Sequence, residues 1–350
     1  MKRRLVSLLL ALVLAFGLLP VTVLADWTSF RGSSSNMGIT KAQTPTEAAY
    51  TELRWTAAVP GENATGQPVI AGDVMFVTRG KTISKLKLED GSVLQSGNMS
   101  ATAGYFNTIA PALDEKNIYV ALMNGVVAAF DRQTLEEQWS YTDELKGQNQ
   151  CSVLVSGGRV YTGFWNKEET DANFVCLDAK TGEKIWSHTQ KGGFYWGGAV
   201  AVEDYIFVGT DDGAAATTPG DSYILSFHKD QENGTPVSTL TLKNCGDQRS
   251  ALAYSDGRIY FTTKGGYLCS AAVDGTNGEI SDLQTVITLN EGCRSTSTPV
   301  VYNGYIYYGA GNTDIKDKHS YFQLTDDFCS SDSMLRRYAD HIIHHFIHIK

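Results

Sequence analysis

The sequence predicts an all-β fold, a β-propeller of four-stranded blades. A unit of strand, turn and strand recurs along the chain, and each copy holds an apolar residue followed by an aromatic one, with successive aromatics 42 to 53 residues apart. That period is too long for the rung of a β-helix and suits one propeller blade per repeat. The composition, with 34 Gly, 17 Tyr, 14 Phe and only 19% charged residues, is typical of turns and strands. The repeated aromatics are Phe76, Tyr119, Tyr161, Phe207, Tyr260 and Tyr307.

The first 25 residues have the pattern of a secretory signal. Lys2, Arg3 and Arg4 precede an apolar run over residues 5–24, and the small Ala25 follows it. A transmembrane anchor is the alternative, because about twenty apolar residues can span a bilayer. We expect cleavage after Ala25 and a bacterial protein that is secreted, extracellular or held at the cell surface.

The hairpin LDAKTGEKIW shows the second half of the repeat in its fullest form. Asp178 ends one strand, Thr181 and Gly182 turn the chain, and Trp186 lies in the next strand. Gly182 supplies the positive φ that such a turn needs. An equivalent hairpin one repeat earlier, FDRQTLEEQW, carries Leu135 in place of that glycine.

These residues resemble the pyrroloquinoline-quinone-like propeller repeats that quinoprotein dehydrogenases share with the outer-membrane assembly lipoprotein. The match is at the Asp, Thr, Gly and Trp positions of the hairpin above, and the start Asp26-Trp27, Phe30-Arg31-Gly32 and Asn36-x-Gly38 resembles the lead-in of exported propellers. The chain is also similar to bacterial cell-surface propellers. The resemblance covers about residues 26–310 and implies location better than activity.

In such repeats the tryptophan packs between blades, so the resemblance implies a structural role for Trp139 and Trp186. Trp55 has the same position in the repeat, ahead of the first full unit. We therefore expect the N-terminus to contribute a closing strand to the last blade, which leaves the ring no open edge.

About six repeats are visible, whereas the family usually closes with seven or eight blades. Residues 311–350 are predicted to be an incomplete last blade followed by an atypical, disordered tail, because the repeat pattern stops there. Four histidines in this tail have the spacing of one helical face, but no cysteine or glutamate accompanies them at ligand spacing.

The net charge of −9 disfavours nucleic acid or an anionic membrane surface as the partner. Six cysteines allow fifteen pairings, of which a bridge between Cys245 and Cys293 is one possibility. The acidic residues Asp211 and Asp212, with Asp204 and Asp221, could hold calcium between strands, but they lack a recognised ligand spacing.

No constellation of catalytic residues stands out, so an enzyme is the less favoured class. A quinone-dependent oxidoreductase using pyrroloquinoline quinone and calcium is the alternative that the resemblance offers. Family enzymes of that kind hold the quinone with a vicinal cysteine pair, which this sequence lacks. We predict no cofactor and no metal.

A binding or scaffolding propeller is the favoured function, with a polysaccharide, a peptide or a cell-surface protein as its partner. The repeat phase places the loops that enter the innermost strands at one mouth of the channel. Amides and aromatics there suit glycans or peptides, although ordinary polar loops would look the same. The candidate ligand-binding residues are Phe106, Gln148, Asn149, Phe194, Trp196, Asp247, Arg249 and Arg294. The same loop positions also hold Asn63, Thr65, Thr108, Gln150 and Thr296.

Overall fold

The computed structural model confirms the all-β propeller. Six antiparallel sheets follow one another along the chain, and each of the first five contains four consecutive strands, which is the architecture of a propeller blade. Within the described part of the chain no helix is both long and apolar enough to cross a membrane. The structure describes residues 26–40, 53–62, 66–102, 110–215, 219–289, 293–312 and 321–324.

The first three blades each contain four short strands joined by tight turns. Blade 1 consists of β1 (Val69–Ala71), β2 (Val74–Arg79), β3 (Thr82–Lys87) and β4 (Val93–Asn98). Blade 2 consists of β5 (Ala112–Leu113), β6 (Asn117–Ala121), β7 (Val126–Asp131) and β8 (Glu137–Thr142). Blade 3 consists of β9 (Leu154–Ser156), β10 (Arg159–Gly163), β11 (Asp171–Asp178) and β12 (Lys184–Lys191).

Blades 4 and 5 repeat this plan, and blade 6 follows it in part. Blade 4 consists of β13 (Val200–Val202), β14 (Tyr205–Gly209), β15 (Ser222–His228) and β16 (Ser238–Leu242). Blade 5 consists of β17 (Ala253–Ser255), β18 (Arg258–Thr263), β19 (Tyr267–Val273) and β20 (Ile280–Thr288). The last sheet contains β21 (Cys293–Arg294), β22 (Val300–Tyr302), β23 (Tyr305–Asn312) and β24 (Tyr321–Leu324).

The repeated aromatic has one structural position in all six sheets. It lies in the second strand of each blade, opposite the residue that begins the innermost strand: Phe76 pairs with Val69 in blade 1, and Tyr307 pairs with Val300 in blade 6. The aromatic residues that the sequence aligns with one another therefore have equivalent positions in the blades.

The hairpin tryptophans pack between blades. Trp186 is 4% exposed and stacks on Phe227 of blade 4, with ring centroids 4.8 Å apart. Trp139 of blade 2 donates its indole N–H to the carbonyl oxygen of Ala179 in blade 3, at 3.0 Å. Their predicted structural role is consistent with these contacts.

The turn of the hairpin is built as the sequence predicts. The Asp178 carboxylate accepts hydrogen bonds from the backbone N–H groups of Lys180 and Thr181. Gly182 has a φ of 75°, in the left-handed region that favours glycine. This turn lies against blade 2, where Trp139 covers it.

Closure of the ring differs from the expectation in one respect. Trp55 packs on the β3–β4 turn of blade 1 and donates its indole N–H to the carbonyl oxygen of Leu88, as Trp139 does at the turn of blade 3. Residues 53–59, however, form no strand. The equivalence of Trp55 to the hairpin tryptophans was predicted correctly, but the prediction that this segment forms a closing strand was wrong. In blade 6, β24 supplies the expected third strand, and no outer strand beyond β24 occurs among the described residues. The fourth strand of this sheet is the short β21, which pairs with the end of β23.

Candidate functional site: a cup on the propeller axis

A cavity of about 260 Å³ lies where the innermost strands of the blades converge. Backbone bridges link Ser152 of blade 3, Gly198 of blade 4 and Ala251 of blade 5, so the segments that enter these strands stand side by side around the axis. Five blades and the N-terminal segment contribute to the wall. The lining residues are Phe30, Gln67, Gln150, Ser152, Trp196, Arg249, Thr296 and Thr298.

The N-terminal segment, residues 26–38, closes one end of this cavity and makes it a cup. Its backbone exchanges hydrogen bonds with Ile70 of blade 1 through Trp27, and Thr28 accepts from Leu113 of blade 2. Phe30, which follows directly, lines the cavity. The segment therefore crosses the axis beneath the mouth.

Two side chains fix this segment to the other half of the ring. Arg31 donates to the carbonyl oxygens of Thr298 and Pro299, at 2.7 and 2.9 Å, and its burial lowers the pKa of the guanidinium to about 10. Asn36, only 3% exposed, donates to the carbonyl oxygens of Ala199 and Leu252 in blades 4 and 5.

Arg249 forms the charged part of the wall and is held by carboxylates. Its Nη2 lies 2.7 Å from Oδ2 of Asp211, 3.1 Å from Oδ2 of Asp247 and 3.7 Å from Oε1 of Glu168. Lys264 is 3.0 Å from the same oxygen of Asp247. Arg249, Asp211 and Asp247 are each less than 10% exposed, so this is a buried ion network.

Burial and charge act in opposite directions on the pKa values of this network. Burial raises the pKa of Asp211 well above its ordinary value, and the guanidinium of Arg249 opposes that shift. Burial alone would lower the pKa of Arg249, but the carboxylates of Asp211 and Asp247 raise it. Arg249 is thus a cation whose charge is already compensated inside the protein.

A row of aromatic rings supports the same wall. Tyr195 stacks on Trp196 and makes a tilted contact with Trp165, with centroid distances of 4.6 Å at both contacts. The guanidinium of Arg249 lies 4.5 Å from the centre of the Tyr195 ring. Trp196 has a φ of 56°, unusual for a bulky residue. Strain of this kind persists only where the surrounding structure enforces it.

Two polar atoms of the cup wall have no hydrogen-bond partner among the described residues. They are Oε1 of Gln150, a side chain only 9% exposed, and the indole Nε1 of Trp196. One is an acceptor and the other a donor. Both atoms are buried inside the wall and do not face the open space of the cup.

The structure brings some of the predicted site residues to the cup. Trp196 and Arg249 line it, together with Gln150 and Thr296 from the same loops. Asp247 lies one step behind and holds Arg249 in place.

Three other predicted residues do not line the cup, and a fourth lies outside the described residues. Gln148 and Asn149 lie behind the wall, where Gln148 accepts from Gln150 and Asn149 donates to Thr162. Arg294 is exposed on β21, away from the lining. Phe106 lies outside the described residues.

The prediction for Phe194 is wrong. Its side chain is 1% exposed and packs 5.3 Å from Phe174 in the core between blades 3 and 4, so it offers no surface to a ligand. In a continuous strand Phe194 and Trp196 would share a face. The left-handed backbone at Trp196 breaks that alternation.

Sequence reasoning missed Phe30, Gln67, Ser152 and Thr298 as lining residues. Gln67, Ser152 and Thr298 each lie two positions after a residue that the repeat spacing identified. Extending the same spacing by two residues toward the innermost strand would have found them. Phe30 had no such signal, because its place depends on contacts with the distant end of the chain.

The structure supports neither a calcium site at Asp211 and Asp212 nor a disulfide between Cys245 and Cys293. The carboxylate of Asp211 binds Arg249, and that of Asp212 accepts from the backbone N–H groups of Ala214 and Gly220, so the two do not face a shared ion. No cluster of three or more metal-ligating side chains occurs in the part of the chain that the structure describes. Cys245 is a free thiol, which contradicts a bridge to Cys293.

The cup does not fit pyrroloquinoline quinone. This cofactor is a tricarboxylate, and a site for it needs several uncompensated cations or a metal ion. Arg249 is the cation among the residues that line the cup, and Asp211 and Asp247 already compensate it. The cysteines whose side chains the structure describes, Cys151, Cys176, Cys245 and Cys269, are free and far apart in sequence.

Comparisons with solved structures place the fold among quinoprotein-type propellers. A quinohemoprotein alcohol dehydrogenase from Comamonas testosteroni superposes with a TM-score of 0.65 at 14% identity, over 83% of this chain and 58% of that one. BamB from Moraxella catarrhalis gives 0.52 at 16% identity, over 70% of this chain and 72% of that one. At these identities the likeness shows the fold alone.

Sequence comparison adds the family. The outer membrane protein assembly factor BamB of Kangiella koreensis is 29% identical over 204 residues, which are 53% of this chain and 47% of that protein, so the match spans about half of the curated relative. The family model described as outer membrane protein assembly factor BamB matches residues 44–191 and 154–317, most of the propeller. The chain therefore belongs to the BamB-like family of pyrroloquinoline-quinone-type propeller repeats.

Proposed function

We propose that this protein is an exported binding and scaffolding propeller that holds a protein partner at the cell surface, with the axial cup as a main contact. The observation that carries the proposal is the cup itself. Five blades converge on it, and its wall combines two aromatic rings, two amide side chains and three hydroxyl groups. Concave sites with a few convergent polar groups are where proteins bind ligands.

The family supports a protein partner more than a polysaccharide. The relative from Kangiella koreensis is an assembly factor for outer membrane proteins, so its work is done on other polypeptides. The face of Trp196 that stacks on Tyr195 is not available to a sugar ring, and sugar sites rely on open aromatic faces. A glycan ligand remains an outcome that the test below can reveal.

The test is binding to arrays of peptides and of cell-wall glycans by the wild-type protein and by Trp196→Ala. We expect peptide binding that Trp196→Ala weakens at least about tenfold, because aromatic residues at the centre of an interface carry much of the binding energy. Tyr302→Ala is the matched control, since Tyr302 is 50% exposed and far from the cup lining. Binding to glycans alone, or equal loss in both variants, would contradict the proposal.

A further inference from the structure

We infer that the cup takes the uncharged polar tip of a polypeptide loop and rejects an anionic tip. This inference rests on the proposed function and adds the chemistry of the group that enters. It follows from the charge, the hydrogen-bonding groups and the shape of the cup wall.

The ion network that holds Arg249 offers the cup no net positive charge. Its two cations are Arg249, which lines the cup, and Lys264, which is not among the lining residues. Asp211, Asp247 and Glu168 are the carboxylates that contact Arg249. With all three carboxylates ionised the network carries one negative charge, and with Asp211 protonated it is neutral. An entering carboxylate would therefore lose its hydration and gain no uncompensated cation in return, which is costly.

Uncharged hydrogen-bonding groups fit the same wall. The lining residues other than Arg249 are amides, hydroxyls and aromatics. Amide side chains both donate and accept, and hydroxyl groups do the same, so the lining matches a group that carries both an N–H and a carbonyl oxygen. An amide, from a main chain or from an Asn side chain, is such a group.

The shape of the cup selects a tip rather than a threaded chain. The N-terminal segment closes the far end, with Phe30 in the wall and Arg31 and Asn36 tied to blades on the opposite side. The volume of about 260 Å³ is below the range of about 300–1,000 Å³ that drug-sized ligands occupy. A polypeptide can enter only as a turn that comes back out of the same mouth.

The test uses two cyclic hairpin peptides that differ in one tip residue, Ser-Asn-Gly-Ser and Ser-Asp-Gly-Ser. Binding to the full chain is measured by fluorescence anisotropy at low salt. We expect the Asp tip to bind at least about tenfold more weakly than the Asn tip, and the ratio to shrink as added salt screens the charges.

Two variants should move this ratio in opposite directions. Asp247→Asn removes one negative charge from the wall and should lower the preference for the Asn tip by about threefold or more. Lys264→Gln removes one positive charge and should raise it by a similar factor. Asp73→Asn is the control, because Asp73 is exposed in the turn after β1, outside the cup lining. If Asp247→Asn fails to fold, Lys264→Gln still decides.

The outcomes separate the inference from the proposed function. Equal binding of both tips, or tighter binding of the Asp tip, overturns the inference and leaves a peptide-binding cup. Unchanged preference in Lys264→Gln and Asp247→Asn also overturns it. If neither hairpin binds at about 1 mM, where the binding free energy would be near −4 kcal/mol, and glycans bind instead, the proposed protein partner is wrong as well.

Discussion

At the scale of single residues, a large ring in one blade fits a glycine in the next. A Cβ placed on Gly182 would lie 2.5 Å from Cε3 of Trp139, and one on Gly91 would overlap Trp55. Such distances are shorter than any real contact, so the tryptophan and the glycine depend on each other. The family hairpin motif therefore records an inter-blade contact as well as a turn.

The junction between blades 1 and 2 supports this interpretation. Leu135 occupies the glycine position there, with a φ of 56° and the same backbone hydrogen bond to the turn aspartate that Gly182 makes. Its neighbouring blade has Gln95 at the tryptophan position, and Gln95 donates to the carbonyl oxygen of Thr134 in the turn. At this junction both the glycine and the tryptophan are therefore replaced by other residues.

We predict that Gly182→Ala destabilises the protein by about 2 to 4 kcal/mol, from backbone strain and from the clash with Trp139. Gly158→Ala is the matched control: its φ of 73° is nearly the same as the 75° of Gly182, but no atom lies within 4 Å of the added Cβ. It should cost only the strain, about 1 kcal/mol. Denaturant unfolding measures both values.

The contact itself is tested by a double-mutant cycle. In a Trp139→Gln background the cost of Gly182→Ala should fall by about 1 kcal/mol or more, because the ring that clashes is gone. Strict additivity of the two substitutions would mean that the turn tolerates the methyl group by moving, and that the pairing has no energetic basis.

At the scale of blades, an aromatic hydroxyl from one blade reaches the turn of the next. Tyr161 of blade 3 donates to the carbonyl oxygen of Lys229 in blade 4. The Tyr119 hydroxyl of blade 2 lies 3.2 Å from the carbonyl oxygen of Ala179 in blade 3, but it donates its proton mainly to the carboxylate of Asp114. Tyr260 has the equivalent place in blade 5, but it faces a cavity of about 580 Å³ between blades 5 and 6. Its hydroxyl meets no acceptor among the described residues.

We predict that Tyr161→Phe lowers the melting temperature by about 2 to 4 °C, as expected for the loss of one buried hydrogen bond worth about 1 kcal/mol. Tyr260→Phe, the same chemical change at the equivalent position, should leave it unchanged. Thermal melts followed by circular dichroism compare the two. An equal shift would show that chain beyond Leu324 supplies an acceptor to Tyr260.

At the scale of the whole molecule, the sequence predicts the features that depend on residues within one blade. It misses the contacts between residues that lie far apart in the chain. The register of all six repeated aromatics followed from the sequence, since hairpins depend on neighbouring residues. Four cup residues, among them Trp196 and Arg249, followed from the same phase. The loop positions failed where backbone geometry departs from a strand, as it does between Phe194 and Trp196.

The N-terminal segment, residues 26–38, forms the floor of the cup, and its position could not be predicted in this way. Arg31 contacts Thr298 across 267 positions in the chain, and no local pattern specifies such a contact. The lead-in motif with Phe30, Arg31 and Asn36 resembled that of exported propellers, but the resemblance assigned these residues no role. The structure gives them one, since they connect the first blade to blades 4, 5 and 6.

The last prediction concerns Asn36, which belongs to this floor. Its side chain is 3% exposed and donates to Ala199 and Leu252, so Asn36→Ala leaves two buried carbonyl oxygens without partners. Alanine is also disfavoured at the φ of 53° that asparagine tolerates here. We expect a loss of about 2 to 4 kcal/mol and a melting temperature lower by roughly 5 to 15 °C.

Ser33→Ala serves as the control, because Ser33 belongs to the same segment but its hydroxyl contacts only Ser35 at the surface. It should melt within about 1 °C of the wild type. Because Asn36 holds blades 4 and 5 to the segment that also binds blades 1 and 6, its loss should broaden the transition as well as lower it. A sharp transition at the wild-type temperature in Asn36→Ala would show that the blades close the ring without this segment, and that the cup has no fixed floor.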